Sequence, residues 1–354
     1  LDRPLRGTVS LTPVPGLKAE WVGLRHAFEL DAEGYAGLPL KLVCKRAGTV
    51  PLYFSTTFKL DDGEIQTPPQ RFPCFGLAPG GIVADIGAGN KGDVIVVENE
   101  FFRLRCQSEG GRCMVVDKVN QKVISDIREE LGPPFHPSEL GQKPYQLYLE
   151  RDDAGGRVKA ILRARSSNFP GLTFAKEITL SASPLITLRY RLINQGGQDH
   201  TAQLNPRIEL RESEKARVTM PRVERLVHER AALFCNTHGD LPKKPAGMAE
   251  RWLAWCVDDF TIGLMWDEQV EKHKWEWNRI FFERPAVTLK PGTTIALPPF
   301  YMYAGPGSWK HVRRTWTRLS GESPRPCPKP RRKLELGFEP PPILNVGDEV
   351  RAAP

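Results

Sequence analysis

The sequence predicts an all-β chain: an N-terminal small β-sandwich followed by a large antiparallel double sheet that ends in one C-terminal helix. Three observations carry that expectation. Short runs rich in Val, Ile, Phe and Thr, broken by Gly, Pro and Asn turns, recur along most of the 354 residues. Residues 94–126, VIVVENEFFRLRCQSEGGRCMVVDKVNQKVISD, read as a β meander turned by Glu109-Gly110-Gly111-Arg112 and by Asn120-Gln121. Helical spacing is convincing only once, where Trp309, Val312, Trp316 and Leu319 recur three to four residues apart.

Length and composition bound the reading. A chain of 354 residues suggests two or three domains. Its 40% hydrophobic content and mean hydropathy of −0.38 suit a soluble protein with real cores. No stretch approaches the roughly 18 consecutive apolar residues of a membrane span. The chain opens on Leu1, and is read as a mature form or as a piece of a longer polypeptide. The net charge of +8 is spread without long blocks of one sign, which points to a solvated surface and not to nucleic acid. An anionic polysaccharide stays open. The seven cysteines form no CxxC and no Cys/His cluster with zinc spacing, so no metal and no cofactor is expected. Cys106 and Cys113 flank the Gly-Gly turn and are placed to face each other; the cysteines are expected to be mostly buried thiols.

In chain order, strands are expected at 7–12, 18–21, 27–30, 38–43 and 52–60, with Asp61-Asp62-Gly63 as a turn. Strands this short at this spacing suggest a small sandwich of the immunoglobulin or fibronectin kind over residues 1–92. QTPPQRFPCFGLAPGG (66–81) reads as an ordered linker, since its prolines interrupt a ladder. GAGNKG (87–92) satisfies GxGxxG, but the β-branched DVIVVENEFF follows where a dinucleotide site needs a helix. Those glycines are expected to form an interdomain turn.

Beyond the meander, strands are expected at 145–150, 157–165 and 172–180. PLITLRYRLIN (184–194) is the clearest, with Ile186, Leu188, Tyr190 and Leu192 on one face and Thr187, Arg189 and Arg191 on the other. A further strand covers 201–210, and 211–250 is expected to be long polar loops. RWLAWCVDD, FTIGLMW, KHKWEWNRIFFERPAVTL and TLKPGTTIALPPFYMYAG close the series. The single helix follows Ser308, its cap, and stops before Gly321. Residues 322–354 are a proline-rich tail or the start of a further β module.

ENEFFRLRCQSEGGRCMVVDKVNQKVISD resembles the opening of a galactose-mutarotase-like supersandwich, as found in the β domains of α-mannosidases and related carbohydrate-active enzymes. ITLSASPLITLRYRLINQGGQDHTAQLNPRIEL and IFFERPAVTLKPGTTIALPPFYMY resemble its central and closing strands. The resemblance covers roughly residues 94–320 and implies a supersandwich over 93–321 whose concave sheet face binds sugars. It also implies a general base at Glu283, which stands where mutarotases carry a Glu before an LxPG turn. Their His-Pro-aromatic motif is replaced here by Asn205-Pro206-Arg207. Asn exchanges no proton, which puts ordinary mutarotase chemistry in doubt and leaves His200 as the nearest imidazole.

Seven of the eight tryptophans lie between residues 252 and 316. Indole faces stack on sugar rings, yet Trp also fills cores, and Trp255, Trp309 and Trp316 are expected to be packing. Trp275 and Trp277 share one strand face, with Lys274, Glu276 and Asn278 on the other. Trp266 and Asp267 end a strand at a loop, where binding residues concentrate. The candidate sugar contacts are therefore Trp266, Asp267, Glu276, Asn205 and Arg207, and the candidate catalytic groups Glu283 and His200. Two readings remain: a carbohydrate-binding or structural β module of a larger modular surface or secreted protein, or a carbohydrate-active enzyme (epimerase, glycoside hydrolase or lyase) using Glu283. Both take poly- or oligosaccharide as partner, with further domains or identical copies as a possible setting.

Overall fold

The computed structural model describes residues 5–12, 14–15, 17–21, 26–30, 40–45, 47–89, 92–118, 120–152, 156–211, 213, 215–223, 226–230, 247–276 and 278–322. They form an all-β fold with one α-helix, Trp309–Ser320, and one 3-10 turn, Leu140–Gln142. The tail from residue 323 and Trp277, Cys235 and Cys327 lie outside the described residues.

The N-terminal strands build two small antiparallel sheets. One contains Leu5–Thr12, Ala27–Leu30, Gly48–Leu60, Gly63–Gln66 and Gln70–Gly76; the other pairs Leu17–Trp21 with Leu40–Cys44. The expected proline linker is in part a strand, because Gln70–Gly76 pairs with the start of Gly48–Leu60 and sets Pro73 opposite Pro51. Pro51 lies beyond the last residue paired with Leu5–Thr12 (Thr12↔Tyr53), and Gln70–Gly76 is at the margin of its sheet. Prolines are tolerated at such margins, where one side of the strand is unpaired.

The rest is a double sheet. The nine-stranded sheet runs Lys272–Glu276, Arg279–Glu283, His200–Leu210, Lys122–Gly132, Cys113–Asp117, Arg103–Gln107, Gly92–Asn99, Ile82–Gly89, with Val287–Leu289 alongside His200–Leu210. Gly87, Ala88 and Gly89 of the GAGNKG segment thus pair with Val94, Asp93 and Gly92 as part of this sheet. The ten-stranded sheet runs Gln146–Asp152, Arg157–Arg165, Leu172–Ser181, Leu185–Asn194, Phe300–Pro306, Phe260–Met265, Trp252–Val257, Arg217–Pro221, Leu226–Arg230, with Thr294–Ala296 beside Leu185–Asn194. Within the expected polar loops, then, Arg217–Pro221 and Leu226–Arg230 form a strand pair on the sheet's margin. Strands of this length with charged outward positions are how sheet edges are kept from pairing further.

Strand alternation places one apolar face of each sheet inward. Ile127, Leu204, Ile208 and Ile280 from one sheet meet Phe174, Ile178, Leu188 and Leu192 from the other, all within 1% of full burial. Each such side chain contributes roughly 1.5–3 kcal/mol relative to exposure. The helix lies on the opposite face of the ten-stranded sheet. There Trp309 stacks parallel on Trp252 at 6.1 Å, and Val312 and Trp316 are buried against Ala254, Met265 and Tyr303. Gly263 leaves room for it, since a Cβ there would meet Val312 Cγ2 at 2.5 Å. Gly321, in the left-handed conformation, ends the helix.

Candidate functional site

On the outward face of the nine-stranded sheet, four neighbouring strands set polar side chains in register. Lys122–Gly132 turns Ile127 and Leu131 inward and Asp126, Arg128 and Glu130 outward. The same alternation turns out Asn205, Arg207 and Glu209 from His200–Leu210, and Arg279, Phe281 and Glu283 from the next strand. From Lys272–Glu276 it turns out Lys272, Lys274 and Glu276.

Pairing aligns these into rows. Asp126, Glu209, Arg279 and Glu276 form one, and Arg128, Arg207, Phe281 and Lys274 the next. In the third, Glu130 pairs with Asn205 and Glu283 pairs with Lys272. The two pairs adjoin: the Arg284 N–H, one residue past Glu283, donates to Asn205 Oδ1 at 3.4 Å. Adjacent strands are roughly 4.8 Å apart, so the backbones of Glu130 and Glu283 stand about 10 Å apart across Asn205.

Most charges on this face are matched. Lys272 Nζ is 3.6 Å from Glu283, Lys274 Nζ 2.5 Å from Glu276 and Arg279 Nε 3.2 Å from Glu209. Lys274 and Arg207 both lie over the Phe281 ring, at 5.6 and 5.9 Å from its centre. Asp126 Oδ2 accepts from both Arg112 Nε (2.7 Å) and Arg128 Nε (2.8 Å). Arg207 reaches Glu130 only at 3.5 Å. Burial pushes the Glu130 carboxyl above its ordinary pKa against the pull of Arg207, and Glu276 adds to the rise. Burial lowers Arg207, and the neighbouring Arg128 guanidinium lowers it further.

The face thus gathers four of the residues singled out from the sequence: Glu283, Glu276, Asn205 and Arg207. It does not include the other three. His200 is on the inward side of its strand, with Nε2 2.8 Å from the Pro170 carbonyl oxygen and its ring edge-on to Phe169. Trp266 is a core residue, 4% exposed, packed on His273 and Phe282 at 4.8 and 5.1 Å. Asp267 is ion-paired to the buried guanidinium of Arg284, which also donates to the Pro298 carbonyl at 3.1 Å. It joins the face only through the Arg284 backbone. Sequence reading missed Glu130, Arg128, Lys274 and Phe281, although SDIREEL alternates as a one-sided strand does and carries a signal for the first two.

Hollows also lie elsewhere on the molecule, and some are lined by charged side chains of both signs. One, of about 770 Å3, lies over Phe101, Ile124, Val257 and Phe260, with Asp117, Lys122, Lys215 and Asp259 in its lining. A smaller one of about 240 Å3 has Trp266 and Asp267 in its wall, with Pro299, Tyr301 and Trp316. The outward face holds the convergent acids, amide and guanidinia that recognition needs, and we take it as the site for that reason. Among the described residues, no group of three His, Cys, Asp or Glu is placed to hold a metal ion.

Neither a protein-family model nor a curated protein matches the chain. Among solved structures it is similar to a TPR-domain-containing protein from Parabacteroides distasonis (11% identity, TM-score 0.41) over 83% of this chain and 56% of that one. It is also similar to a galactose mutarotase-like protein from Lactobacillus casei (11%, 0.40), over 60% of this chain and 99% of that one. A third is a galactose 1-epimerase from Lactobacillus acidophilus (10%, 0.43), matched over 64% and 98%. The chain spans little more than half the length of the first of these.

Proposed function

We propose that the outward face of the nine-stranded sheet binds carbohydrate and that the chain acts as a carbohydrate-binding β module. The observation that carries this reading is the set of rows around Asn205. Acceptors (Glu130, Glu283, Glu276) alternate with donors (Arg207, Lys272, Lys274) on rigid strands and flank an amide that does both. Sugar hydroxyls donate and accept, so a fixed array of both kinds recognises them, and a site on strands is held more closely than one on loops.

A second reading is favoured by one specific feature. Glu130 and Glu283 flank Asn205, and burial favours a proton on Glu130 while Lys272 attends Glu283. Carboxyls in contrasting surroundings are what acid–base work on a glycoside or an anomeric centre requires. In that reading Glu283 is the base and Glu130 the acid; His200, facing the interior, takes part in neither reading.

Glycan-array binding and a turnover assay on wild type, Asn205→Ala and Glu283→Gln separate the two. The module reading expects binding that Asn205→Ala weakens about tenfold or more, with no turnover by any form. Turnover by wild type that Glu283→Gln abolishes, with the fold intact, replaces it with the enzyme reading. Binding and turnover both unchanged in both variants place the ligand elsewhere and sink both.

A further inference from the structure

Arg128 and Arg207 face each other directly on neighbouring strands. Like charges opposite one another destabilise a sheet, and elsewhere on this face cations stand beside carboxylates one to one: Lys272 with Glu283, Lys274 with Glu276, Arg279 with Glu209. Around Arg128 the matching fails. Arg128 shares a single carboxylate oxygen of Asp126 with Arg112. The nearest acid to Arg207, Glu130, is 3.5 Å away. Arg207 Nε is buried and makes no hydrogen bond within the described residues. Among the described residues, Arg112 and Arg128 thus share Asp126 Oδ2, and Arg207 has Glu130, a carboxyl that burial pushes above its ordinary pKa. The side chain of Arg207 keeps 16% of its surface exposed, although its Nε is buried.

We infer that the sugar taken by this face carries an oxyanion, a carboxylate or a sulfate, and that Arg207 and Arg128 hold it. A guanidinium presents two parallel N–H donors that fit an oxyanion, and such charge-assisted pairs are about twice as strong as neutral ones. The incoming charge offsets the repulsion between the two arginines and gives Arg207 a closer acceptor than Glu130, which stands 3.5 Å away. The inference rests on the carbohydrate reading and adds the ligand's charge to it.

The test is calorimetric titration of the whole chain with three oligosaccharides of equal length: a galacto-oligosaccharide, its uronate counterpart and its sulfated counterpart. Wild type is expected to bind at least one charged form about tenfold or more tighter than the neutral one. The arm that binds tells carboxylate from sulfate. Arg207→Gln and Arg128→Gln are each expected to bring the charged-to-neutral ratio near one, while Arg314→Gln, on the exposed side of the helix, leaves it unchanged. Equal wild-type affinity for neutral and charged forms overturns the inference and leaves the carbohydrate reading standing. No binding of any of the three overturns both. A preference that Arg314→Gln reduces as much as Arg207→Gln also overturns it, because the cause is then the overall charge of +8. If Arg207→Gln does not fold, judged by its thermal unfolding, Arg128→Gln decides alone.

Discussion

Lys176 Nζ lies 2.8 Å from Glu129 Oε2 between the two sheets, one residue from each, with side chains 0% and 1% exposed. The ammonium also donates to the Gly111 carbonyl at 2.7 Å, and Tyr190 OH donates to Glu129 Oε1 at 3.2 Å. The pair thus ties the ten-stranded sheet to the nine-stranded one, and it stands back to back with the outward face, since Glu129 and Glu130 are consecutive on one strand. Burial raises the Glu129 carboxyl, and Lys176 and Tyr190 oppose the rise. Lys176→Met leaves that carboxylate without its cation in the core, and we expect a loss of about 3–5 kcal/mol in denaturant unfolding. Replacing both, Lys176→Met with Glu129→Leu, should cost much less, because no uncompensated charge remains. A double variant as unstable as the single one would refute that account.

The partner carbonyl belongs to the Gly-Gly turn, which makes the turn a second point of sensitivity. Gly110 and Gly111 have φ of 68° and 58°. A Cβ on Gly111 would also overlap the Tyr145 ring. Gly111→Ala therefore meets both left-handed strain and a buried aromatic wall, and about 2–4 kcal/mol of destabilisation is expected in the same measurement. Gly156 has a similar φ of 57° with nothing within reach of a Cβ, so Gly156→Ala should cost only the smaller, conformational part.

What was legible in the sequence follows from how local each determinant is. Ile186, Leu188, Tyr190 and Leu192 are all fully buried, as their spacing of two predicts, because alternation is written in adjacent residues. Cys106 and Cys113 are paired across the hairpin and buried as free thiols, since a two-glycine turn fixes register locally. The prolines of 66–81 misled because a sheet's margin tolerates what its middle does not, and position within a sheet is a non-local fact. The site divides on the same line. Asn205, Arg207, Glu276 and Glu283 share a face with one another through odd and even positions on their strands. His200 is five residues from Asn205, and an odd separation turns it to the core. The alternation of SDIREEL puts Arg128 and Glu130 on one strand face, but their place beside Arg207 and Asn205 comes from pairing with a strand some eighty residues away, which is not a local fact.

Asp267 shows how a residue chosen from the sequence as a contact acts through another. Its carboxylate pairs with Arg284, whose side chain is 1% exposed, and the Arg284 N–H holds Asn205 Oδ1. Asp267→Ala is expected to destabilise by about 3–5 kcal/mol through the stranded guanidinium. Any loss of glycan binding in this variant should follow its unfolding curve. A variant that stays folded, keeps wild-type stability and still loses binding would instead place Asp267 on the ligand.

Glu130 allows the electrostatics of the face to be tested without a ligand. Its folded-state pKa is raised from the ordinary 4.5, chiefly by burial. Above 4.5 the unfolded chain has released this proton while the folded chain still holds it, so the native state is the greater proton binder there. This group's contribution to stability is therefore fully present below pH 4.5 and is lost as the pH rises through the folded value. Above that folded value the carboxylate is a desolvated charge with Arg207 3.5 Å away. Glu130→Gln removes the titration and keeps an oxygen for the Arg207 N–H. The variant is expected to be more stable than wild type at pH 7, and to lose the part of the pH slope that lies above 4.5. Denaturant unfolding from pH 4 to pH 8 measures both. A wild-type slope preserved in Glu130→Gln would assign it to another group, and would remove the raised Glu130 pKa from the description of this face.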